Sequence, residues 1–202
     1  MDDTKKKYFG EAVILCGGLS SRMPYNKSFI RINGRYLIDT IYEKLEKIFR
    51  TVKLSVSSSE TYSVFNHDMV EDIIEGKKGP SVGIYSALEN ATSRYVFIVA
   101  GDMPYINLEH IEYMKKVIEE NEYMVDALVP LNGGYIEPLY SFYSIDMAHY
   151  FKEELDKGNY KIKAALDRSN TMYMDEKHSK RFEANLNMFT NINYIEDLEK
   201  IL

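Results

Sequence analysis

The chain has 202 residues, 45% of them apolar, and a formal net charge of −6. That length suits one domain with a sizeable core, or two small lobes, and the acidic balance argues against a nucleic-acid surface, so a polyanionic substrate would need a local cluster of cations. A single cysteine excludes an internal disulfide and a cysteine-rich zinc site, and no apolar run approaches the ~20 residues that a membrane helix requires.

In chain order, Lys5, Lys6 and Lys7 imitate the basic start of a signal peptide. The apolar run after them is too short for one, and the expected compartment is the cytoplasm. Val13, Ile14 and Leu15 read as a strand buried on both faces, because a brief apolar run stopped by glycines suits the centre of a parallel sheet. Gly17 and Gly18 let the backbone approach a ligand closely. The amides of Cys16, Gly17 and Gly18 then form an anion-binding nest, and the hydroxyls of Ser20 and Ser21 add donors. Arg22 brings a planar fork and Lys27 a mobile point charge. The simplest ligand for this set is a phosphate chain; a plain turn is the alternative reading of the glycine pair. Neither GxGxxG nor GxxxxGK[ST] is present, so the mechanisms of those loops do not apply.

Beyond the loop, Phe29, Ile30 and Ile32 lead to a turn at Asn33-Gly34 and to an amphipathic helix from about Tyr36 to Phe49, striped by Leu37, Ile41, Leu45 and Ile48. Arg31 and Arg35 extend the run of cations or form a solvated face. Residues 52–57 alternate as a second strand, followed by a serine loop, and residues 69–79 hold a third short strand and a turn. Gly79-Pro80 opens the helix SVGIYSALENA, whose free amides and partial positive charge offer a second seat for phosphate or a base edge. Asp72, just before it, is a turn former, a cap or a contact to a base.

Residues 95–100, YVFIVA, are the most apolar strand and belong at the centre of the sheet. Asp102 follows at the strand's outer end, where ligands of open α/β sheets bind. A carboxylate beside triphosphate oxygens there is a natural anchor for Mg²⁺, which needs only one or two protein carboxylates; the alternative is a cap for the helix starting near Leu108. A helix over 108–121, a strand over 127–130 and a turn at Gly133-Gly134 come next. The segment YIEPLYSFYS, a helix near 145–157, a break at Gly158-Asn159, a short helix over 160–167 and a strand over 171–174 complete the series. Lys161 and Lys163 face either an incoming phosphate or plain solvent. Asn191 and Asn193 alternate, so an extended segment projects them to one side. His67, His110, His149 and His178 are scattered without ligand spacing and are assigned no metal.

The joint pattern LCGGxSxRMxxxK at residues 15–27 resembles the LAGGxSxRMGxDK signature of nucleotidyltransferases, specifically the molybdopterin guanylyltransferase family. It departs from that signature at Cys16, Pro24 and Asn26. VEDIIEGKKGPSVG is similar to the family's guanine-contacting aspartate and GPL helix start, with Ser81 in place of leucine; Gly101-Asp102-Met103-Pro104 is similar to its strand-end DxP segment. Glu137-Pro138-Leu139 resembles its EPL segment, and FTNINYIEDL its closing FxN[IV]NTPEDL, with Tyr194 and Ile195 departing from Thr-Pro. The resemblance covers nearly the whole chain.

It implies an α/β, three-layer Rossmann-like nucleotidyltransferase fold with a mostly parallel central sheet and helices on both faces. It also implies one domain over 1–202, with a nucleotide part at about 8–125 and an acceptor part at about 126–202. By the same resemblance GMP passes from GTP to the terminal phosphate of molybdopterin, with Mg²⁺ on Asp102. Arg22, Lys27 and Asp102 would be catalytic. Leu15, Cys16, Gly17, Gly18, Ser20, Ser21, Asp72 and Gly79 would join them around the nucleotide, and Glu137, Asn191 and Asn193 would meet the acceptor, on an edge strand in the case of the EPL segment. A monomer is expected, with molybdenum-insertion proteins or molybdoenzyme chaperones as further partners. Two rivals stay open: a related transferase using CTP or a sugar phosphate, and a nucleotide-binding regulatory protein without turnover, to which Pro24 and Asn26 give most support.

Overall fold

A computed structural model describes residues 7–16, 27–32, 34–74, 76 and 79–192. Its first strand, β1 (Glu11–Leu15), is buried at every position. Ala12 and Ile14 join the core on one face of the sheet, Val13 and Leu15 the core on the other, as the alternation of a strand between two helical layers demands. A 3-10 turn at Lys27–Phe29 leads to the hairpin β2 (Arg31–Ile32) and β3 (Arg35–Tyr36). Gly34 takes its turn at φ 81°, in the left-handed region that glycine tolerates.

Helix α1 (Leu37–Leu45) buries Leu37, Ile38, Ile41 and Leu45. Its regular span ends at Leu45, short of the expected Phe49, although turns closed on the carbonyls of Tyr42, Lys44 and Leu45 carry the chain on to Phe49. Strand β4 (Thr51–Val56) follows, then the short helix α2 (Ser59–Tyr62), where the sequence suggested only a serine loop, and β5 (Met69–Glu71). Next come α3 (Pro80–Glu89), β6 (Tyr95–Ala100) and α4 (Leu108–Glu120). The chain continues with β7 (Ala127–Asn132), β8 (Tyr135–Ile136), β9 (Tyr140–Ser144) and α5 (Met147–Asp156). It closes with α6 (Ile162–Leu166), β10 (Thr171–Met174) and α7 (Glu176–Ser179), before a 3-10 turn at Asn187–Phe189.

Among the described residues the main sheet runs β10-β7-β9-β6-β1-β4-β5, with β8 added on β7. Strands β6, β1, β4 and β5 are mutually parallel, as are β10 and β7; β9 alone runs antiparallel between β6 and β7. Helices α1 and α4 cover one face and α3, α5 and α6 the other, which is the expected three-layer α/β arrangement. A fully buried Phe97 or Leu54 contributes about 1.5–3 kcal/mol relative to exposure.

One expectation is corrected. The chain after Glu137-Pro138-Leu139 is not an edge strand: β9 is buried at all five positions between two neighbours. Its tyrosine hydroxyls find partners inside, Tyr143 donating to the Pro138 carbonyl at 2.7 Å and Tyr140 to that of Asn107 at 3.2 Å. A strand of Ser, Tyr and Phe therefore serves as core. No helix among the described residues is long and apolar enough to cross a membrane.

Candidate active site

Parallel pairing delivers the ends of four strands to one edge. Leu15 of β1 is in register with Ala100 of β6 and with Ser55 of β4, so Cys16 and Gly101 emerge side by side. The Cys16 amide donates to the Ser55 carbonyl at 2.8 Å and the Gly101 amide to the Leu15 carbonyl at 3.0 Å. A Cβ at Gly101 would stand 3.2 Å from that carbonyl oxygen, so the crossing is tight. Cys16 itself is buried and burial pushes its thiol up, which leaves it inert as a nucleophile.

Asp102 follows at once, and Lys27 Nζ lies 2.9 Å from its Oδ2. The two side chains are 16% and 20% exposed, so the pair sits at the rim of the fold with one face toward solvent. Asp102 does not cap α4; that cap is Asn107, whose side chain accepts from the His110 amide at 3.0 Å. Two further contacts hold the Asp102 loop. Lys44 Nζ donates to the Pro104 carbonyl at 3.3 Å, and the Ile192 amide donates to the Asp102 carbonyl at 2.8 Å. The second bond brings Asn191 to the same loop. Its Oδ1 is buried with no hydrogen-bond partner among the described residues, an acceptor group placed for a donor from elsewhere.

Asp72 leaves the end of β5, its amide bound to the Val56 carbonyl at 3.0 Å. Burial raises its carboxyl above the usual carboxylate range. The first turn of α3 packs beside it: Gly79 is the N-cap at φ 127°, with no side-chain cap. A Cβ at Gly83 would meet Ser55 Oγ at 2.8 Å, Leu15 Cδ2 at 3.2 Å and Asp72 Oδ1 at 3.9 Å. Gly83 thus lets α3 close down on β1 and β4, a contact that sequence reasoning missed because its partners lie far apart in the chain.

Glu137 is half-buried beyond β8, accepts from Asn132 Nδ2 at 3.0 Å, and is likewise raised by burial. The Ala100 amide donates to the Leu139 carbonyl at 3.0 Å, so the EPL segment runs alongside the Asp102 loop. Gly17, Gly18, Ser20, Ser21, Arg22 and Asn193 lie outside the described residues. The described set therefore brings together Leu15, Cys16, Lys27 and Asp102. It places Asp72 and Gly79 on one side of them and Glu137 and Asn191 on the other.

This arrangement suits a phosphorylated ligand: a paired lysine and carboxylate at the carboxyl edge, a helix N-terminus, and half-buried polar groups on both flanks. The chain matches the family model described as MobA-like NTP transferase domain over residues 12–172. It is 38% identical over 198 residues to a Peptoclostridium acidaminophilum protein named "Probable molybdenum cofactor guanylyltransferase", with 96% of this chain and 89% of that one covered. Identity is 35% over 192 residues to the molybdenum cofactor guanylyltransferase of Syntrophotalea carbinolica, covering 95% and 90%. The crystal structure of molybdopterin-guanine dinucleotide biosynthesis protein A from Archaeoglobus fulgidus superposes with a TM-score of 0.82 at 26% identity, covering 94% of this chain and 95% of that one. With the fold, the edge-on site and a match over most of its length in agreement, the chain belongs to the MobA-like NTP transferase family.

Proposed function

We propose that this protein transfers GMP from GTP to the terminal phosphate of molybdopterin and releases pyrophosphate, the activity named for its relatives. The observation that carries the reading is the Lys27–Asp102 pair at the carboxyl edge of the sheet. An oxygen of the acceptor phosphate attacks the α-phosphorus, and the bond from that phosphorus to the bridging oxygen of the leaving pyrophosphate breaks. Such a transfer asks for alignment and charge neutralisation rather than a covalent catalyst.

Asp102 fits a Mg²⁺ site of the kind that phosphate substrates complete: one rim carboxylate, with no group of three or more acidic, histidine or cysteine side chains among the described residues that would make an all-protein cage. When bound, the ion would offset the charge that builds on the leaving pyrophosphate. Lys27, paired with Asp102 here, would donate to phosphate oxygens of the bound nucleotide. Arg22 would act as the second cation, while the amides of Gly17 and Gly18, with the Ser20 and Ser21 hydroxyls, cradle the chain; the Cys16 amide, expected in that cradle, is instead committed to the Ser55 carbonyl. Leu15 sets the start of that loop.

Asp72, beside Gly79, suits guanine, whose N1–H and amino group are two adjacent donors. Glu137, Asn191 and Asn193 stand on the acceptor side. We read residues 1–202 as one nucleotidyltransferase domain, with the nucleotide part at about 8–125 and the acceptor part at about 126–202; the main sheet passing through both supports this. Pyrophosphate release measured with GTP, CTP and ATP, each with and without molybdopterin, tests the reading. Release that requires GTP and molybdopterin together is expected, and release with CTP, or none with any nucleotide, overturns it.

A further inference from the structure

The most exposed large apolar side chain among the described residues is Tyr135, with 79% of its surface open. Single apolar residues on a surface are ordinary, but this one stands on a rigid support. Gly133 and Gly134 take φ 57° and 82°, the two left-handed positions of the tight turn that joins β7 to β8. Tyr135 pairs with Asn132 across that turn, and the Glu137 amide donates to the Pro130 carbonyl at 2.9 Å. Glu176 of α7 accepts from the Gly133 amide at 2.8 Å. A large ring held in water on so fixed a frame gives up little entropy when a flat ligand covers it.

Register sets the ring at the site. Leu128 of β7 and Phe97 of β6 both face Phe142 of β9. Four residues further along each of these two parallel strands, Asn132 is level with Gly101, the residue before Asp102. Tyr135, opposite Asn132, therefore stands at the height of Gly101. The Pro130 carbonyl that receives Glu137 is on the side of β7 that faces β9, because the Asp126 carbonyl, four residues earlier, receives the Ser144 amide. Strand β8 thus continues the column of β9, next to that of β6, and neighbouring columns lie about 5 Å apart.

The face is fixed as well. Ile136 packs against the core beneath α3, α5 and α6, so alternation turns Tyr135 and Glu137 to the other face. The bond from Asn132 Nδ2 to Glu137 Oε1 agrees with this. Ile192, whose amide holds the Asp102 carbonyl, is buried on that same face. Tyr135 and Glu137 therefore stand on the side of the sheet where Asn191 and Ile192 reach the Asp102 loop.

We propose that Tyr135 stacks on the pterin ring system of the acceptor while the acceptor phosphate lies at Asp102. This rests on the guanylyl-transfer reading, which assigns Glu137, Asn191 and Asn193 to the acceptor and gives its ring no aromatic partner. The position in the sheet selects the acceptor over guanine, because β1 and β4 separate β6 from β5 and Asp72. A tyrosine face takes a flat heteroaromatic ring by stacking and makes no demand on the ring's hydrogen-bonding edge, which stays free for Glu137.

The test titrates molybdopterin and GTP by calorimetry against wild type, Tyr135→Ala, Tyr135→Phe and Met124→Ala, the last an exposed side chain before β7 at the opposite edge of the sheet. Losing one stacked ring predicts molybdopterin affinity about 5- to 100-fold weaker in Tyr135→Ala. Tyr135→Phe keeps the ring face and should stay within about 3-fold of wild type. GTP affinity should be unchanged in every variant, and Met124→Ala should match wild type throughout. Unchanged molybdopterin affinity in Tyr135→Ala, an equal loss in Tyr135→Phe, or an equal loss for GTP overturns the assignment to Tyr135 and leaves guanylyl transfer standing. A wild type that binds GTP but no molybdopterin overturns both.

Discussion

Replacing Gly83 by alanine separates the site from the stability of the fold. The added methyl would stand 2.8 Å from Ser55 Oγ and 3.2 Å from Leu15 Cδ2. Overpacking of this kind costs about 1–3 kcal/mol, and the lower end applies where a serine hydroxyl can turn to another staggered position. Alanine returns about 1 kcal/mol as the better helix former, so net stability should change by roughly 1 kcal/mol or less. Binding should respond more strongly, because the methyl also lies 3.9 Å from Asp72 Oδ1, in the space beside the carboxyl that would receive guanine. Sub-ångström to 1 Å displacement of a positioning group can cost about 10²-fold, and a loss of GTP affinity of about 10-fold or more is expected here. Urea denaturation and GTP titration on the same preparations give the two numbers. Adding Ser55→Ala should recover stability without restoring GTP binding. A Gly83→Ala protein that binds GTP as wild type does would refute the placement of the base beside α3.

Asp72→Asn replaces a double acceptor by one donor and one acceptor, so it should narrow the gap in affinity between GTP and CTP; titration with GTP, ITP and CTP shows this, and an unchanged preference makes Asp72 a turn residue only. Lys27→Ala and Arg22→Ala should each lower turnover about 10²-fold or more, with thermal stability shifted by about 0.5 kcal/mol or less, and a wild-type rate or an unfolded protein shows either residue misassigned. His110 is fully buried against Ser179, and burial lowers its pKa from 6.5 to about 4. The unfolded chain therefore takes up a proton that the native ring refuses. Stability is complete above pH 6.5 and falls by about 3 kcal/mol as pH drops toward 4. Urea denaturation from pH 7 to 4 should show that slope in wild type and a flatter one in His110→Gln; equal slopes refute it.

Local pattern carried the layers but not their assembly. Tyr95–Ala100 and, in β1, Val13–Leu15 declared themselves by short apolar runs, and both strands are buried at every position. Asp102 could be placed at a strand end from sequence alone, whereas its pairing with Lys27, 75 residues away, joins two separate motifs and is seen only in the fold. Strand order is non-local, and no periodicity in Tyr140–Ser144 could reveal that it enters antiparallel between β6 and β7. The resemblance implied an edge strand there, whereas the hydroxyls of Tyr140, Ser141 and Tyr143 are satisfied by internal hydrogen bonds. His110 and Lys115 likewise occupy the buried stripe of α4. Lys115 is satisfied there by the Ile48 carbonyl and by Glu112. Gly83 and the hydrogen bond from Ser81 to the Tyr160 carbonyl escaped notice for the simplest reason: both are contacts between distant segments, invisible to any window along the chain.

The central claim is that the carboxylate held by Lys27 is the anchor of a metal-assisted transfer. Asp102 lies beyond the end of β6 with its side chain 20% exposed, and the hydrogen bond that ties the loop to Ile192 uses the backbone carbonyl. Asp102→Ala should therefore keep the fold and its melting temperature. Pyrophosphate release from GTP and molybdopterin, followed across a Mg²⁺ titration in wild type and Asp102→Ala, measures the claim directly. The account predicts saturable dependence on Mg²⁺ in wild type and a rate lower by about 10²-fold or more in the variant at every Mg²⁺ concentration. Equal Mg²⁺-dependent rates in the two proteins would contradict it.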